Sequence, residues 1–220
     1  MLGRTTRTAC AVLALSLTAV ACGDDDDEAT PPPDETETEA AAADPAEHET
    51  SPDPSLLADP VAEMRRVTVK YLTDIEAAKA DGYAVITPMM ADMGFHYLNA
   101  EVTGFDPATP AILVYVPTEE GWQLGAVEWV FPEEPDDPPL PGAEYGEFPA
   151  ACHYVDGTFV PEDDEAACAE QSPDTDAAFT FWHPDLVTLH VWAWYPNPDG
   201  IFAGTNPLVT PYNEVAAPTV

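Results

Sequence analysis

The sequence predicts an α+β domain: one N-terminal amphipathic helix packed on a mainly antiparallel sheet of about five to seven strands, held by one disulfide. Three observations carry that expectation. Apolar residues between Pro60 and Ala80 recur every three or four positions, the spacing of one helix face. After Gly82 the apolar period becomes two, the alternation of strands with two distinct faces. Finally, only Cys152 and Cys168 remain to pair once an export signal is set aside and Cys22, directly after it, is read as lipidated.

That signal occupies residues 1–21. Arg4 and Arg7 precede the apolar run Ala9–Val20, and Ala19-Val20-Ala21-Cys22 follows. Charged, apolar and small residues in that order read as an export signal, with an apolar run too short to span a bilayer. A cysteine directly after the small residues resembles a bacterial lipobox, in which Cys22 is lipidated and becomes the first residue. The other reading is an ordinary cleaved signal beside a chance cysteine. Gly23 and the polar run after it favour the lipoprotein.

Residues 22–55 read as a disordered acidic tether. Four consecutive aspartates, Pro31 to Pro33, a Glu-Thr alternation and four alanines offer no aromatic or basic residue. Such a segment cannot bury enough apolar surface to order itself. His48 within it reads as solvated. Residues 56–220 form the expected single globular α+β domain.

In the helix, Asp59 suits the N-cap and Pro60 the first turn, where its missing N–H does no harm. Val61, Met64, Val67, Tyr71, Ile75 and Ala78 make the apolar stripe, and Asp81-Gly82 ends it. A continuous helix of ~20 residues would be ~30 Å long, with Lys70 and Asp74 spaced as an exposed pair. Tyr83–Thr87 reads as a short strand. Ile112–Val116 and Trp122–Phe131 are clearer ones, joined by a hairpin connection over Pro117–Gly121. On the second, Trp122, Leu124, Ala126, Glu128 and Val130 alternate onto one face. Glu128 is then a carboxylate in an apolar row: either that face is wet, or Glu128 is buried with a partner. Pro132–Pro149 reads as a surface excursion. Cys152 and Cys168, an even pair in an exported chain, read as a disulfide.

Phe179–Trp182 and Leu186–Trp194 are the last strands. On the latter, Thr188, His190, Trp192 and Trp194 alternate with Val187, Leu189, Val191 and Ala193. A face carrying an imidazole between indoles is a second packed layer or the floor of a site.

Charge narrows the partners. Beyond the signal, Arg65, Arg66, Lys70 and Lys79 face 41 acids, a net −37. Nucleic acid is excluded by repulsion. The acids are spread over every loop, which favours adaptation of an exported surface to salt over capture of cations at ligand spacing.

Candidate chemistry centres on the histidines. His96 follows Met89, Met90 and Met93, a thioether and imidazole set that suits copper; methionines filling the core are the alternative. No H-E-x-x-H or cysteine–histidine spacing is present. Nucleophilic serine chemistry lacks a nucleophile elbow, and with 41 acids a carboxylate pair carries no signal.

MGFHYLN, DPATPAILVYVP, LGAVEWV and HVWAWYPNPDGIFAGTNP together resemble a set of uncharacterised exported bacterial proteins. Those share an HY-x-N segment, a D-P-x-x-P hairpin with a following V-E strand, and a terminal H-x-W-x-W-x-x-N-P-x-G-x-F-A-x-x-N-P. The resemblance implies no activity. It singles out His96, Asn99, Glu128, His190, Asn197 and Asn206 as polar members of its motifs.

The resulting expectation is a binding protein lipid-anchored through Cys22 at the extracytoplasmic face of a bacterial membrane. His96, Glu128, His183 and His190 would hold a transition metal such as copper, zinc or iron. The alternative is a metal-free module in which Trp182, Trp192, Trp194 and Tyr195 form a stacking platform, with Asn99 and Asn197, for a sugar or other small ligand. An enzyme ranks third. If the lipobox reading is right, Cys22→Ala moves the protein from the membrane fraction to the soluble one; a variant that still sediments with membranes refutes the anchor.

Overall fold

Helix α1, Ser55–Thr68, is the first element of the computed structural model, which describes residues 55–215. The signal, Cys22, His48 and nearly all of the tether lie outside the described residues. The described residues belong to one compact unit. Among them no helix is long and apolar enough to cross a membrane.

The expected single helix is two. α1 starts before Pro60 because Leu57 also packs on the core. After Thr68 the chain tightens into a 3₁₀ turn, Val69–Tyr71, and α2 follows at Ile75–Ala80. The break has a tertiary cause. The carbonyl of Tyr71 accepts the Tyr115 hydroxyl at 2.8 Å, and that of Leu72 accepts the Leu124 N–H at 2.7 Å. Carbonyls given to the sheet are lost to a helical ladder. Asp74, expected to pair with Lys70, instead caps α2 by accepting the Ala77 N–H at 3.0 Å. Lys70 pairs with Asp81 at 2.6 Å.

Among the described residues nine antiparallel strands form two sheets where a single sheet was expected. The strands are β1 Ala84–Val85, β2 Phe95–Leu98, β3 Ile112–Thr118, β4 Gly121–Phe131, β5 Tyr145–Phe148, β6 Ala151–Tyr154, β7 Phe159–Pro161, β8 Phe179–His183 and β9 Leu186–Val191. The six-stranded sheet runs β1-β2-β3-β4-β9-β5 and the three-stranded one β7-β6-β8. The two share a folded ribbon. β5 pairs with β9 up to Phe148–Leu186, and β6 with β8 from Ala151–His183. Between them lie Pro149-Ala150 and Pro184-Asp185. Proline has no N–H for a ladder, so the ribbon breaks there and turns. Asp185 pins the corner by accepting the Ala150 N–H at 2.8 Å. Pro132–Pro149 is therefore not all excursion: it ends in β5, and Leu140 is buried.

One face of the large sheet packs on the helices through Phe95, Tyr97, Leu113, Tyr115, Val127, Trp129 and Leu189. The other carries Ile112, Val114, Ala126 and the polar residues of the site. Both faces are covered, which is why β3 is buried over Ile112–Pro117.

The β3–β4 hairpin is tighter than expected, with Thr118 opposite Gly121. The ladder slips between Val114–Ala126 and Tyr115–Leu124, leaving Gly125 as an extra residue. This bulge reverses the alternation, so Trp122 and Leu124 face the helices while Ala126 and Val130 face the other side. The five residues expected on one face are therefore split. The Gly125 carbonyl accepts the N–H groups of Trp194 and Tyr195, both at 3.0 Å. A Cβ on Gly125 would stand 3.2 Å from the Trp192 ring and 3.2 Å from a Val116 methyl. Gly125→Val should cost about 1–3 kcal/mol in denaturant unfolding. Gly204→Ala, where an added Cβ meets nothing within 4 Å, should stay within ~0.5 kcal/mol; equal effects would refute the packing argument.

Candidate functional site

Strand register builds the site. In the β4–β9 ladder Glu128 stands opposite His190, and on β3 its partner is Ile112. His96 on β2 is opposite Val114, one position along on the same face. Two imidazoles and a carboxylate thus meet above a floor of aliphatic side chains. All three are buried, with His96 and Glu128 1% exposed and His190 3%.

The Glu128 carboxylate is the hub. Its Oε1 accepts the His190 Nδ1–H at 2.5 Å and lies 3.6 Å from His96 Nε2. Burial by itself would push the Glu128 pKa up; the electrostatic pull of the two nearby imidazoles and the hydrogen bond from His190 outweigh it and hold the group well below the usual carboxylate range. Thr87 fixes the His96 ring: its Oγ1 lies 3.0 Å from Nδ1 and accepts the His96 backbone N–H at 3.1 Å.

His96 Nε2 and His190 Nε2 are buried without a hydrogen-bond partner. Leaving such a group unsatisfied costs about 1–3 kcal/mol. Buried orphans of this kind call for an ion or a water. The three side chains offer ligand atoms within 4.8 Å of one another, close enough to hold a metal ion. The donor set, two imidazoles and one carboxylate, suits zinc, iron or copper. Two tetrahedral ligands at ~2.1 Å from one ion stand ~3.4 Å apart, so the 3.6 Å pair fits. The 2.5 Å pair is a hydrogen bond; an ion shared by Glu128 Oε1 and His190 Nδ1 would replace its proton and open it by several tenths of an ångström.

Cavities of about 440 Å³ adjoin the cluster on two sides. One is lined by His190 with Met90, Met93, Tyr145 and Phe202. The other lies between the sheets, with His96 and Glu128 on one wall and His153, Phe181 and His183 on the other.

Other expected site residues fall elsewhere. His183 is on β8 of the small sheet; it lines the inter-sheet cavity but is outside the ligand cluster, and its Nδ1–H donates to the Pro184 carbonyl at 2.7 Å. Met89 packs against both core clusters and is not among the three convergent donors. The indoles form no platform. Trp182 donates to Glu162 O, Trp192 to Ala203 O and Trp194 to Thr68 Oγ1, at 2.8, 2.7 and 2.9 Å. Trp192 meets the His190 ring at 4.7 Å. Trp194 packs toward the helices instead, because the chain leaves the ladder after Val191 and turns at Ala193. Tyr195 packs with the second core cluster. Asn99 and Asn197 fasten loops, donating to Asp81 O at 3.1 Å and Thr205 O at 2.9 Å. Asn206, fully buried, does likewise with Pro196 O at 3.0 Å.

Thr87 and His153 went unread in the sequence. His153 follows Cys152 on β6, and strand alternation across the cysteine was the available signal. No family model, curated protein or solved structure matches this chain, so the site is read from its own geometry.

Burial drives the His153 pKa down to about 4, against a smaller opposing effect of its bond to the Ile86 carbonyl. Unfolded histidine titrates near ~6.5, so between these values the unfolded chain binds the extra proton. The stability that His153 contributes is full above ~6.5 and is lost as pH falls toward 4. The stability difference between the parent and His153→Phe should therefore shrink or reverse as pH drops through that window. A difference independent of pH would refute the assignment.

Proposed function

We propose that this protein is a lipid-anchored extracytoplasmic binding protein whose His96–Glu128–His190 cluster holds one transition-metal ion. The observation that carries the reading is the convergence of three fully buried ligand groups around Glu128 Oε1, with a partnerless His96 Nε2 aimed at the same oxygen. Thr87 acts behind His96 by accepting its Nδ1–H in the tautomer that frees Nε2 for an ion. Zinc, iron and copper all accept this donor set. The export signal and lipobox support the location.

Metal uptake in this arrangement would displace the proton between His190 and Glu128, so affinity should weaken as pH is lowered. The test uses the detergent-solubilised full chain, stripped and reloaded with zinc, then washed in 1 M salt and excess calcium to clear the acidic surface. One zinc per chain should remain, with a proton released on binding. His96→Ala and His190→Ala should each lose the retained ion while far-ultraviolet circular dichroism is preserved. Zinc that washes off the parent, or that stays at one equivalent in both variants, overturns the proposal.

A further inference from the structure

The inter-sheet cavity has a chemistry that the metal reading leaves unused. Its body is apolar, walled by Ile86, Leu98, Phe148, Phe181 and Leu186. Its polar residues include His96 and Glu128 on one sheet and His153 on the other. A volume of about 440 Å³ falls in the range of small-molecule sites.

His153 is held rigidly there. Its ring is stacked on Phe181 at 4.6 Å with planes 6° apart, and stacks with Phe159 at 5.7 Å on its other strand neighbour. Its Nδ1 lies 2.9 Å from the Ile86 carbonyl. A carbonyl only accepts, so Nδ1 carries the proton and Nε2 of the neutral ring presents a lone pair. The depressed basicity of this buried ring keeps it in that form at neutral pH. No described residue donates to Nε2. The polar side of the cavity thus displays acceptors, His153 Nε2 and the Glu128 carboxylate, in a chain of net charge −35.

We infer that this cavity binds a small phenol, its ring against the apolar walls and its hydroxyl donated to His153 Nε2. A hydrocarbon would leave that nitrogen unsatisfied. A carboxylate would bring a second negative charge into an apolar cavity that already holds Glu128 and is lined by no lysine or arginine. A phenol supplies one donor and an aromatic face for Phe148 and Phe181. Only one part rests on the metal reading: an ion on the His96–Glu128 side would add a ligand contact to the phenol oxygen, so that loading with zinc tightens binding.

The test titrates the detergent-solubilised full chain, zinc-loaded and metal-free, with 4-ethylphenol, ethylbenzene and 4-ethylbenzoate by calorimetry. The phenol should bind both forms, at least tenfold tighter than either comparator. His153→Phe should bring the phenol down to the level of ethylbenzene with zinc stoichiometry unchanged. Val130→Phe, which fills the cavity from β4, should abolish phenol binding. Equal affinities for phenol and ethylbenzene in the parent, or an undiminished phenol affinity in His153→Phe, overturn the inference. If His153→Phe does not fold, phenol binding retained by Val130→Phe overturns it instead. Phenol bound by a chain that retains no zinc would refute the metal reading alone.

Discussion

A carboxylate with 1% exposure in the middle of a two-sheet interior is the constraint around which this fold is arranged. An isolated buried charge costs several kcal/mol even after relaxation. Glu128 meets that cost only because β9 brings His190 directly opposite and β2 brings His96 across β3. A slip of one residue on any of these strands would turn its site residue toward the helices and break the group. The register is in turn fixed by Trp129, Tyr115 and Leu189, whose side chains fill the opposite face. Core and site are two faces of the same ladder.

The second sheet follows from the same requirement. Unshielded, the Glu128 face would be wet and the pairing weak, since water screens charge far better than protein does. Pro149 and Pro184 stand at the point where the β5–β9 ribbon stops and the β6–β8 ribbon begins. The small sheet they redirect has little core of its own: Ala151, Cys152, His153 and Tyr154 are its buried strand. The Cys152–Cys168 disulfide ties that strand to the loop after β7, and the bond from His153 to Ile86 ties it to the large sheet. A layer this thin closes the cavity without filling it.

What could be read in the sequence was whatever depends on local period. The helical stripe through Met64 and Ile75, the strands about Ile112 and Trp122, the disulfide pair and the oddity of Glu128 in an apolar row are of that kind. What could not be read depends on partners distant in the chain. The helix breaks after Thr68 because carbonyls are taken by Tyr115 and Leu124, some fifty residues on. Trp194 leaves the face of His190 because strand alternation holds only as long as the ladder, and the ladder stops at Val191. Gly125 looked like one more strand residue, yet its bulge decides which way Trp122 points. The polar residues singled out in the sequence are of two kinds: His96, Glu128 and His190 converge, whereas Asn99, Asn197 and Asn206 hold turns. Polar residues of both kinds look alike until their hydrogen bonds are seen.

If the cluster holds an ion as proposed, the acidic composition of the chain and the buried donors would act on cations differently. An excess of acids over bases, 41 against six in the sequence, draws in any cation, and hard ions such as calcium and magnesium are content with oxygen ligands and water. Such ions gain nothing by entering an imidazole-lined interior, where they would exchange hydration for nitrogen donors. A borderline transition ion gains from both imidazoles and from a carboxylate already deprotonated and oriented. On the proposed reading the acidic charge would raise the local concentration of all cations, and the discrimination would lie in the cluster. It comes from replacing oxygen by nitrogen at two of three positions, in a place where bulk water is excluded.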